Sequence, residues 1–293
     1  MKLIVHNDDL GLTYGFTEGI RECFKKGITT STCIRTNGYA YKHSLSLLKK
    51  DLKGIGLGLH LNITQGPSHT KGLAEAEGHY RYGFFGYIVG LLFDEKKLLK
   101  SIGQDFEAQF EIAQSDGLKF DHLNSQDHVH MIPQIFEVVC QFAVKHKIKY
   151  VRVCDENYYL TGSFVKDAMP FFNSNLIKFI VLKVFSRINR RILEKYGLKT
   201  SENFYGVLHT NNMDGKAYIG ALKDALKRRI GTVEVLSHPT YTFHENDREY
   251  IARSLVRYAN SKNRDIERKT LISQKVKDFI GKNGVNLVNY KNL

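Results

Sequence analysis

Residues 54–60 read Gly-Ile-Gly-Leu-Gly-Leu-His, a short apolar run that ends in a side chain able to ligate a metal ion. Residues 3–9 repeat the pattern as Leu-Ile-Val-His-Asn-Asp-Asp. Two further apolar segments, within residues 119–130 and 233–239, also lead into histidines. In α/β proteins, ligands gather at the carboxyl ends of parallel strands. The four segments therefore predict an active-site mouth at one face of such a sheet.

Strand-like and helix-like segments alternate along the chain, and its length of 293 residues suits one large domain over residues 1–293. The predicted strands are residues 2–6, 30–35, 55–61, 118–123, 148–153, 232–237 and 285–289. The predicted helices are residues 14–26, 41–50, 98–115, 133–146, 173–196, 216–229 and 247–262. This alternation predicts a mainly parallel sheet. About seven strands favour a (β/α) barrel-like fold, related to the TIM barrel, over an open doubly wound sheet.

The composition and charge of the chain reduce the number of functions that are compatible with the sequence. A net charge of +13 is compatible with nucleic acid, an anionic membrane surface or an anionic substrate. No nucleic-acid module with interleaved aromatic and basic residues is recognisable, so we expect no specific nucleic-acid binding. The four cysteines form no C-x-x-C pair, and the longest apolar run, Tyr82 to Phe93, is too short to cross a bilayer. We therefore expect a cytoplasmic protein with reduced thiols.

Asp8 and Asp9 are adjacent carboxylates at the end of the first predicted strand. Because successive side chains of a strand alternate, the two cannot point the same way. One can ligate a divalent ion while the other serves as a base, or the pair can cap the following turn. His60 can be a further ligand or a core histidine bonded to the backbone. Aspartate and imidazole together suit zinc, manganese, iron or nickel better than magnesium.

Residues 122–130 contain three histidines, one aspartate, one asparagine and one glutamine, directly before the probable helix start at Pro133. If this backbone is extended, His128 and His130 share a face, and if it is helical, Gln126 and His130 share one. The sequence leaves both arrangements open.

His238 precedes Pro239, which holds the histidine in an extended conformation at the end of a predicted strand. A histidine in that place can act as a general acid, because its pKa lies near neutral pH. The alternative is a histidine that caps a turn.

Six ordered motifs resemble the YdjC/ChbG family of carbohydrate deacetylases, over nearly the whole chain. The opening His-Asn-Asp-Asp-Leu-Gly-Leu is similar to the start of the family, and Gly-Leu-His-Leu-Asn-Ile-Thr-Gln-Gly-Pro resembles its second histidine motif. The matching segments are residues 5–12, 27–38, 58–67, 128–133, 234–239 and 264–267. The resemblance implies a (β/α) barrel-like fold and metal-dependent removal of an N-acetyl group from an amino sugar or an N-acetylated oligosaccharide.

The resemblance also implies roles for particular residues. It places the metal ligands at Asp9 and His60, the base at Asp8 and the acid at His238. The candidate sugar contacts are Arg152, His128 and His130. It implies one divalent ion as cofactor, with magnesium and zinc as the first candidates.

The third ligand position departs from the family pattern, because Gln126 stands where the family has a histidine. A glutamine carbonyl is a weaker ligand than imidazole for a borderline ion. Asp127 or a neighbouring histidine can complete the site instead. The alternative function is a non-catalytic or altered-metal member of the family that binds a glycan or a lipid-linked glycan.

Residues 176–199 carry seven basic residues and one acidic residue. Helical spacing places an apolar stripe opposite the basic side chains Lys183, Arg187 and Arg190. The predicted apolar stripe is Ile177, Val181, Val184, Phe185, Ile188 and Ile192. The helix then either packs inward with a solvated basic face or meets an anionic membrane surface peripherally.

Overall fold

A computed structural model describes residues 1–172, 174–247 and 258–293. At its centre lies one parallel sheet of eight strands, in the order β5-β4-β3-β2-β1-β7-β6, with β8 paired to β1. The strands are β1 (Lys2–Leu10), β2 (Ser31–Ile34), β3 (Gly56–Leu61), β4 (His122–Ser125), β5 (Tyr150–Val151), β6 (Asn203–Tyr205), β7 (Thr232–Ser237) and β8 (Asn286–Leu287). The sheet forms a half-barrel, and the predicted parallel α/β architecture is confirmed.

Helices surround the sheet, as expected when parallel strands are joined by crossover connections. They are α1 (Tyr14–Lys26), α2 (Tyr41–Lys50), α3 (Phe84–Ser115), α4 (Pro133–Lys145), α5 (Phe164–Ala168), α6 (Asn175–Lys195), α7 (Gly215–Lys227), α8 (Lys262–Ile272) and α9 (Gln274–Lys282). Strands β1 and β3 are buried along almost their whole length. Burial on both faces of the sheet explains why these strands read as continuous apolar runs.

Several predicted boundaries are confirmed and others are wrong. Helices α1 and α2 coincide with the predictions, whereas α3 begins at Phe84 rather than at residue 98. Strand β6 was not predicted, because three residues are too few to show a period. Most of the predicted helix 247–262 lies outside the described residues.

Strand β1 does not end before the two aspartates but runs through them to Leu10. Its pairing with β2 shifts register between Asn7 and Leu10, and Asp9 has a φ of 74°. A bulge of this kind re-aims side chains by breaking the strict alternation of a strand. Both carboxylates are buried but have different neighbours: Asp8 pairs with Arg152, whereas Asp9 lies near His60 and Arg35.

Helix α6 differs from the predicted orientation. Its buried positions are Leu182, Ser186, Asn189 and Leu193, while the outer stripe is apolar and exposed. Of the predicted apolar stripe, Val181, Phe185 and Ile192 pack against the core, whereas Ile177, Val184 and Ile188 are exposed. Within the described ranges, no single helix is long and apolar enough to cross a bilayer; Phe164–Phe172 and Asn175–Lys195 meet that test only when they are taken together.

Candidate active site

A fully buried arginine organises the first part of the site. Arg152, at the end of β5, donates from both terminal nitrogens to Asp8, at 2.8 Å to Oδ2 and 2.9 Å to Oδ1. Its Nε donates to Glu234 Oε1 at 2.8 Å, and its Nη2 to His6 Nδ1 at 2.9 Å. We call Arg152, Asp8, Glu234 and His6 the Arg152 cluster. Strands β1 and β7 are thereby tied to β5, on the far side of the sheet order, through one cation.

The Arg152 cluster keeps Asp8 ionised. Burial by itself raises the pKa of the Asp8 carboxyl, but the Arg152 guanidinium and the His60 and His6 rings hold it well below its usual range. Burial, followed by the charge of Arg152, lowers the pKa of His6 to about 4. At neutral pH the cluster therefore contains two carboxylates, a guanidinium and a neutral imidazole.

A relay through Asn124 determines the tautomer of His60. Asn124 donates from Nδ2 to Asp8 Oδ1 at 2.9 Å, which turns its carbonyl oxygen toward His60 Nδ1 at 2.8 Å. Because that oxygen is an acceptor only, His60 carries its proton on Nδ1. The Nε2 atom of a neutral His60 is then a free lone pair, as a metal ligand requires.

Three acceptor atoms converge on the far side of His60. His60 Nε2 lies 3.2 Å from Gln126 Oε1 and 3.7 Å from Asp9 Oδ1. Asp9 Oδ1 is buried and has no hydrogen-bond partner among the described residues. His60 Nε2 and Asp9 Oδ1 offer lone pairs that accept no hydrogen bond, and Gln126 Oε1 has a second lone pair besides the one that accepts from Arg35. The spacings of 3.2 and 3.7 Å match ligand atoms about 2.1 Å from one ion. The donor set of Asp9, His60 and Gln126 therefore fits a divalent metal ion.

A second buried arginine borders this position. Arg35 is 1% exposed and its Nη1 donates to Gln126 Oε1 at 3.1 Å, while lying 3.6 Å from Asp9 Oδ1. Tyr258 donates to the other oxygen, Asp9 Oδ2, at 2.7 Å. We call Arg35, Asp9, His60 and Gln126 the Arg35 cluster. Its guanidinium charge offsets the carboxylate that an ion would use.

Another group could hold a metal ion by distance alone. His6, Asp8 and Cys33 each place one ligand atom within 4.8 Å of the other two. Arg152, however, already donates to both oxygens of Asp8 and to His6 Nδ1. Burial also raises the pKa of the Cys33 thiol well above its usual value, so its sulfur stays protonated. Of the two groups, the Arg35 cluster has the free lone pairs.

The segment after β4 is neither extended nor α-helical. Gln126–Met131 forms a short 3-10 turn in which Asp127 and His128 have φ values of 53° and 58°. Asp127 lines the same small cavity as His60, but its Oδ2 accepts from Thr64 Oγ1 at 2.9 Å. The turn brings Gln126, rather than Asp127, to the three-acceptor position.

The predicted sugar contacts occupy different environments. Arg152 is enclosed in its cluster, and His130 is bonded on both ring nitrogens, to Ser125 Oγ at 2.6 Å and to the Arg152 carbonyl at 3.1 Å. His128 lines a cavity of about 80 Å³ together with Asp8, His60 and His238. Of the three predicted sugar contacts, only His128 borders this cavity.

His238 lines this small cavity, and a residue of α8 holds its backbone in place. Its backbone N–H donates to Glu267 Oε2 at 2.6 Å, and Glu267 is paired with Arg264 at 3.2 Å. Burial and the Arg264 guanidinium lower the pKa of His238 well below its usual value. Tyr258 borders both the small cavity and a neighbouring cavity of about 350 Å³, so the two adjoin.

Four contributors were not predicted from sequence: Arg35, Asn124, Tyr258 and Lys178, of which the last lines the small cavity. Arg35 directly follows the buried strand β2, and a charged residue at the end of a buried strand is the one signal that could have indicated it. Tyr258 and Lys178 come from helical segments distant in the sequence, where no pattern distinguishes them.

These features define an α/β protein whose strand ends form a polar cavity with a metal-competent set of ligands. The family model described as YdjC-like protein matches residues 2–282, and the chain belongs to this family. A carbohydrate deacetylase from Clostridium beijerinckii is 27% identical over the full length of both chains. A crystal structure from Enterococcus faecalis, of a protein assigned to cellobiose-phosphate cleavage, superimposes with a TM-score of 0.73 at 20% identity, covering 99% of this chain and 98% of that one. This last similarity concerns the fold.

Proposed function

We propose that the protein is a metal-dependent carbohydrate deacetylase that removes an N-acetyl group from an amino sugar or an N-acetylated oligosaccharide. One observation carries the proposal. The relay from Asp8 through Asn124 leaves a free lone pair on His60, beside an unpartnered oxygen of Asp9. The name of the Clostridium beijerinckii relative supports the reaction class.

The Arg35 cluster would hold the ion through Asp9, His60 and Gln126. When bound there, a divalent ion supplies Lewis-acid polarisation of the amide carbonyl and lowers the pKa of a water molecule. The larger adjoining cavity supports a sugar ligand, since Asn37, Thr64 and Gln65 provide polar groups and Tyr39 and Tyr80 provide aromatic faces.

Asp8 and His238 each carry out one proton transfer. Asp8, ionised and held in place by Arg152, accepts the proton of the attacking water. As the C–O bond forms and the C–N bond breaks, His238 donates a proton to the departing nitrogen, which leaves acetate and a free amine. Because burial and the Arg264 guanidinium lower the pKa of His238, its ring is neutral before the reaction, and the proton that it passes to the nitrogen is the one that Asp8 takes from the water in the same small cavity. Arg152 is a positioning residue in this scheme, in place of a direct sugar contact.

Acetate release from N-acetylated chito-oligosaccharides tests the proposal, with zinc, magnesium, manganese or cobalt added separately. We expect Asp8→Asn to abolish release while the bound ion, measured by elemental analysis, is retained. Asp51→Asn is the matched control, because Asp51 pairs only with surface bases. Full activity of Asp8→Asn would remove Asp8 from the base role, and no release with any ion would end the catalytic proposal.

A second function has a specific observation in its favour. Arg35 neutralises Asp9, and Gln126 supplies an amide oxygen where an imidazole would bind a borderline ion more tightly. A member of the family that binds a glycan without hydrolysing it would show calorimetric binding of chito-oligosaccharides, with neither stoichiometric ion nor released acetate. Detection of both ion and acetate decides for the enzyme.

A further inference from the structure

Exposed apolar side chains outside the strand-end site are concentrated in α5, in the turn that follows it and in α6. Phe164 in α5 is 89% exposed and Phe172, in the turn that follows, is 87% exposed. Other exposed apolar side chains extend the surface along the same segment and along α6. We call the following set the apolar surface: Leu160, Phe164, Val165, Phe171, Phe172, Ile177, Ile180, Val184 and Ile188. Patches of this kind mark interaction sites.

The helical spacing of α6 places an apolar stripe on its outward face. Ile177, Ile180, Val184 and Ile188 recur at spacings of three and four residues, which places them on one face. The opposite face, at Leu182, Ser186, Asn189 and Leu193, is buried against the protein. The outward stripe is therefore not used for packing within the described chain.

Basic side chains continue this stripe at the carboxyl end of α6. Arg187 and Arg191 are exposed; at 100° per residue Arg191 lies on the face of Val184 and Ile188, and Arg187 lies at the edge of that face, about 60° from Val184. Lys183 and Arg190 are paired with Asp155, whereas Arg187 and Arg191 form no ion pair with any described residue. An apolar stripe continued by unpaired cations fits the interface of an anionic bilayer.

A second copy of the chain fits this surface less well. A two-fold interface brings the same patch of each subunit together, so Arg187 and Arg191 of both copies would be brought to one interface. The net charge of +13 adds to that repulsion. The same charge attracts an anionic lipid surface.

The apolar surface also adjoins the candidate active site. Asn175, at the start of α6, donates from Nδ2 to the Thr210 carbonyl at 3.2 Å, and Thr210 lines the small cavity with Lys178. A separate cavity of about 600 Å³ is walled by Tyr158, Leu160 and the exposed phenylalanines of the surface. A bilayer on this surface would therefore lie next to the mouth of the site.

We propose that the apolar surface docks the protein on an anionic lipid bilayer and that the substrate is an N-acetylated sugar carried on a membrane lipid. The docking part stands on the exposed side chains alone. The substrate part rests on the proposed deacetylase function.

Sedimentation with phosphatidylcholine vesicles, with and without phosphatidylglycerol, tests the docking. We expect binding to the anionic vesicles, weakened by salt, and a loss of about tenfold or more in the double variant Ile177→Ser with Ile180→Ser. Ile266→Ser is the matched control, because Ile266 is exposed on α8, away from the surface. Unchanged binding of the double variant overturns the docking. A dimer in analytical ultracentrifugation that the double variant dissociates, without vesicle binding, also overturns it and assigns the surface to a second copy.

Measurements of acetate release distinguish a failure of the lipid-linked substrate from a failure of the deacetylase function. The double variant should release acetate from soluble oligosaccharides at the wild-type rate but lose at least tenfold against an N-acetylhexosamine linked to a polyprenyl phosphate in anionic vesicles. Equal rates of wild type and double variant on the vesicle substrate overturn the lipid-linked substrate. Vesicle binding without acetate from either substrate overturns the deacetylase function and the lipid-linked substrate but leaves the docking in place.

Discussion

The Arg152 cluster and the Arg35 cluster lie side by side at the strand ends, and each contains one buried guanidinium and at least one carboxylate. In the Arg152 cluster, both oxygens of Asp8 and Nδ1 of His6 are bonded to the cation. In the Arg35 cluster, Asp9 Oδ1 has no hydrogen-bond partner within the described residues. Its nearest cation is Arg35, at 3.6 Å and beyond hydrogen-bond distance, so in the proposed function this oxygen keeps a lone pair for the ion. The Arg152 cluster is arranged to hold Asp8 still.

The largest effect should come from removing the cation of the Arg152 cluster. Arg152→Met leaves Asp8 and Glu234 buried without a counter-charge, which we expect to lower the free energy of unfolding by about 3–5 kcal/mol. Urea unfolding measures this. Arg228→Met breaks an exposed pair with Asp224 and should cost about 0–1 kcal/mol. A similar loss of unfolding free energy in both variants would show that the buried cluster contributes no more stability than an exposed ion pair.

The second-largest effect should come from acid, which we expect to weaken the Arg152 cluster. The folded pKa of His6 is about 4, below its unfolded value near 6.5, so the unfolded state binds more protons between these values. Stability contributed by neutral His6 is complete above pH 6.5 and is lost as pH falls toward 4, by on the order of 2–3 kcal/mol. Burial likewise lowers the pKa of His130 to about 3, which adds to the slope.

Urea midpoints between pH 7 and pH 4.5 check this dependence. His6→Gln should flatten the slope, whereas His79→Gln, at an exposed position, should leave it unchanged. A slope that is identical in all three proteins would contradict the assignment to His6.

A third prediction concerns the Arg35 cluster and the ion. Arg35→Met removes a positive charge 3.6 Å from Asp9 Oδ1, and Gln126→His replaces an amide oxygen by an imidazole. Each change should tighten zinc binding by about tenfold, measured by calorimetry. Arg81→Met, an exposed arginine elsewhere, should have no effect. Weaker zinc binding in Arg35→Met would show that the guanidinium supports the site instead of competing with the ion.

The smallest effect is expected at Tyr258. Tyr258→Phe removes one hydrogen bond to Asp9 Oδ2 and should change zinc affinity by less than about tenfold. Tyr41→Phe, which loses a hydrogen bond to Asp116, is the matched control. If Tyr258→Phe abolished zinc binding, the tyrosine rather than the Arg35 cluster would position Asp9.

Much of the site could be predicted because its residues stand at the ends of apolar runs. Asp8, Asp9, His60 and His238 all follow or end such runs, and parallel strands bring their carboxyl ends together. Arg35 could not be assigned, since its partners Asp9 and Gln126 are distant in sequence. The outward face of α6 was also missed, because a helical stripe shows which residues share a face but not which face is buried.

The sequence by itself determined the parallel α/β architecture and the strand ends that carry polar side chains, because burial on both faces of a sheet requires continuous apolar runs. Only the tertiary structure decided how Asp8 and Asp9 differ. The bulge at Asp9 turns one carboxylate toward His60, while Arg152 from a distant strand holds the other. Charges and lone pairs interact through space, so their roles depend on neighbours that only the folded chain supplies.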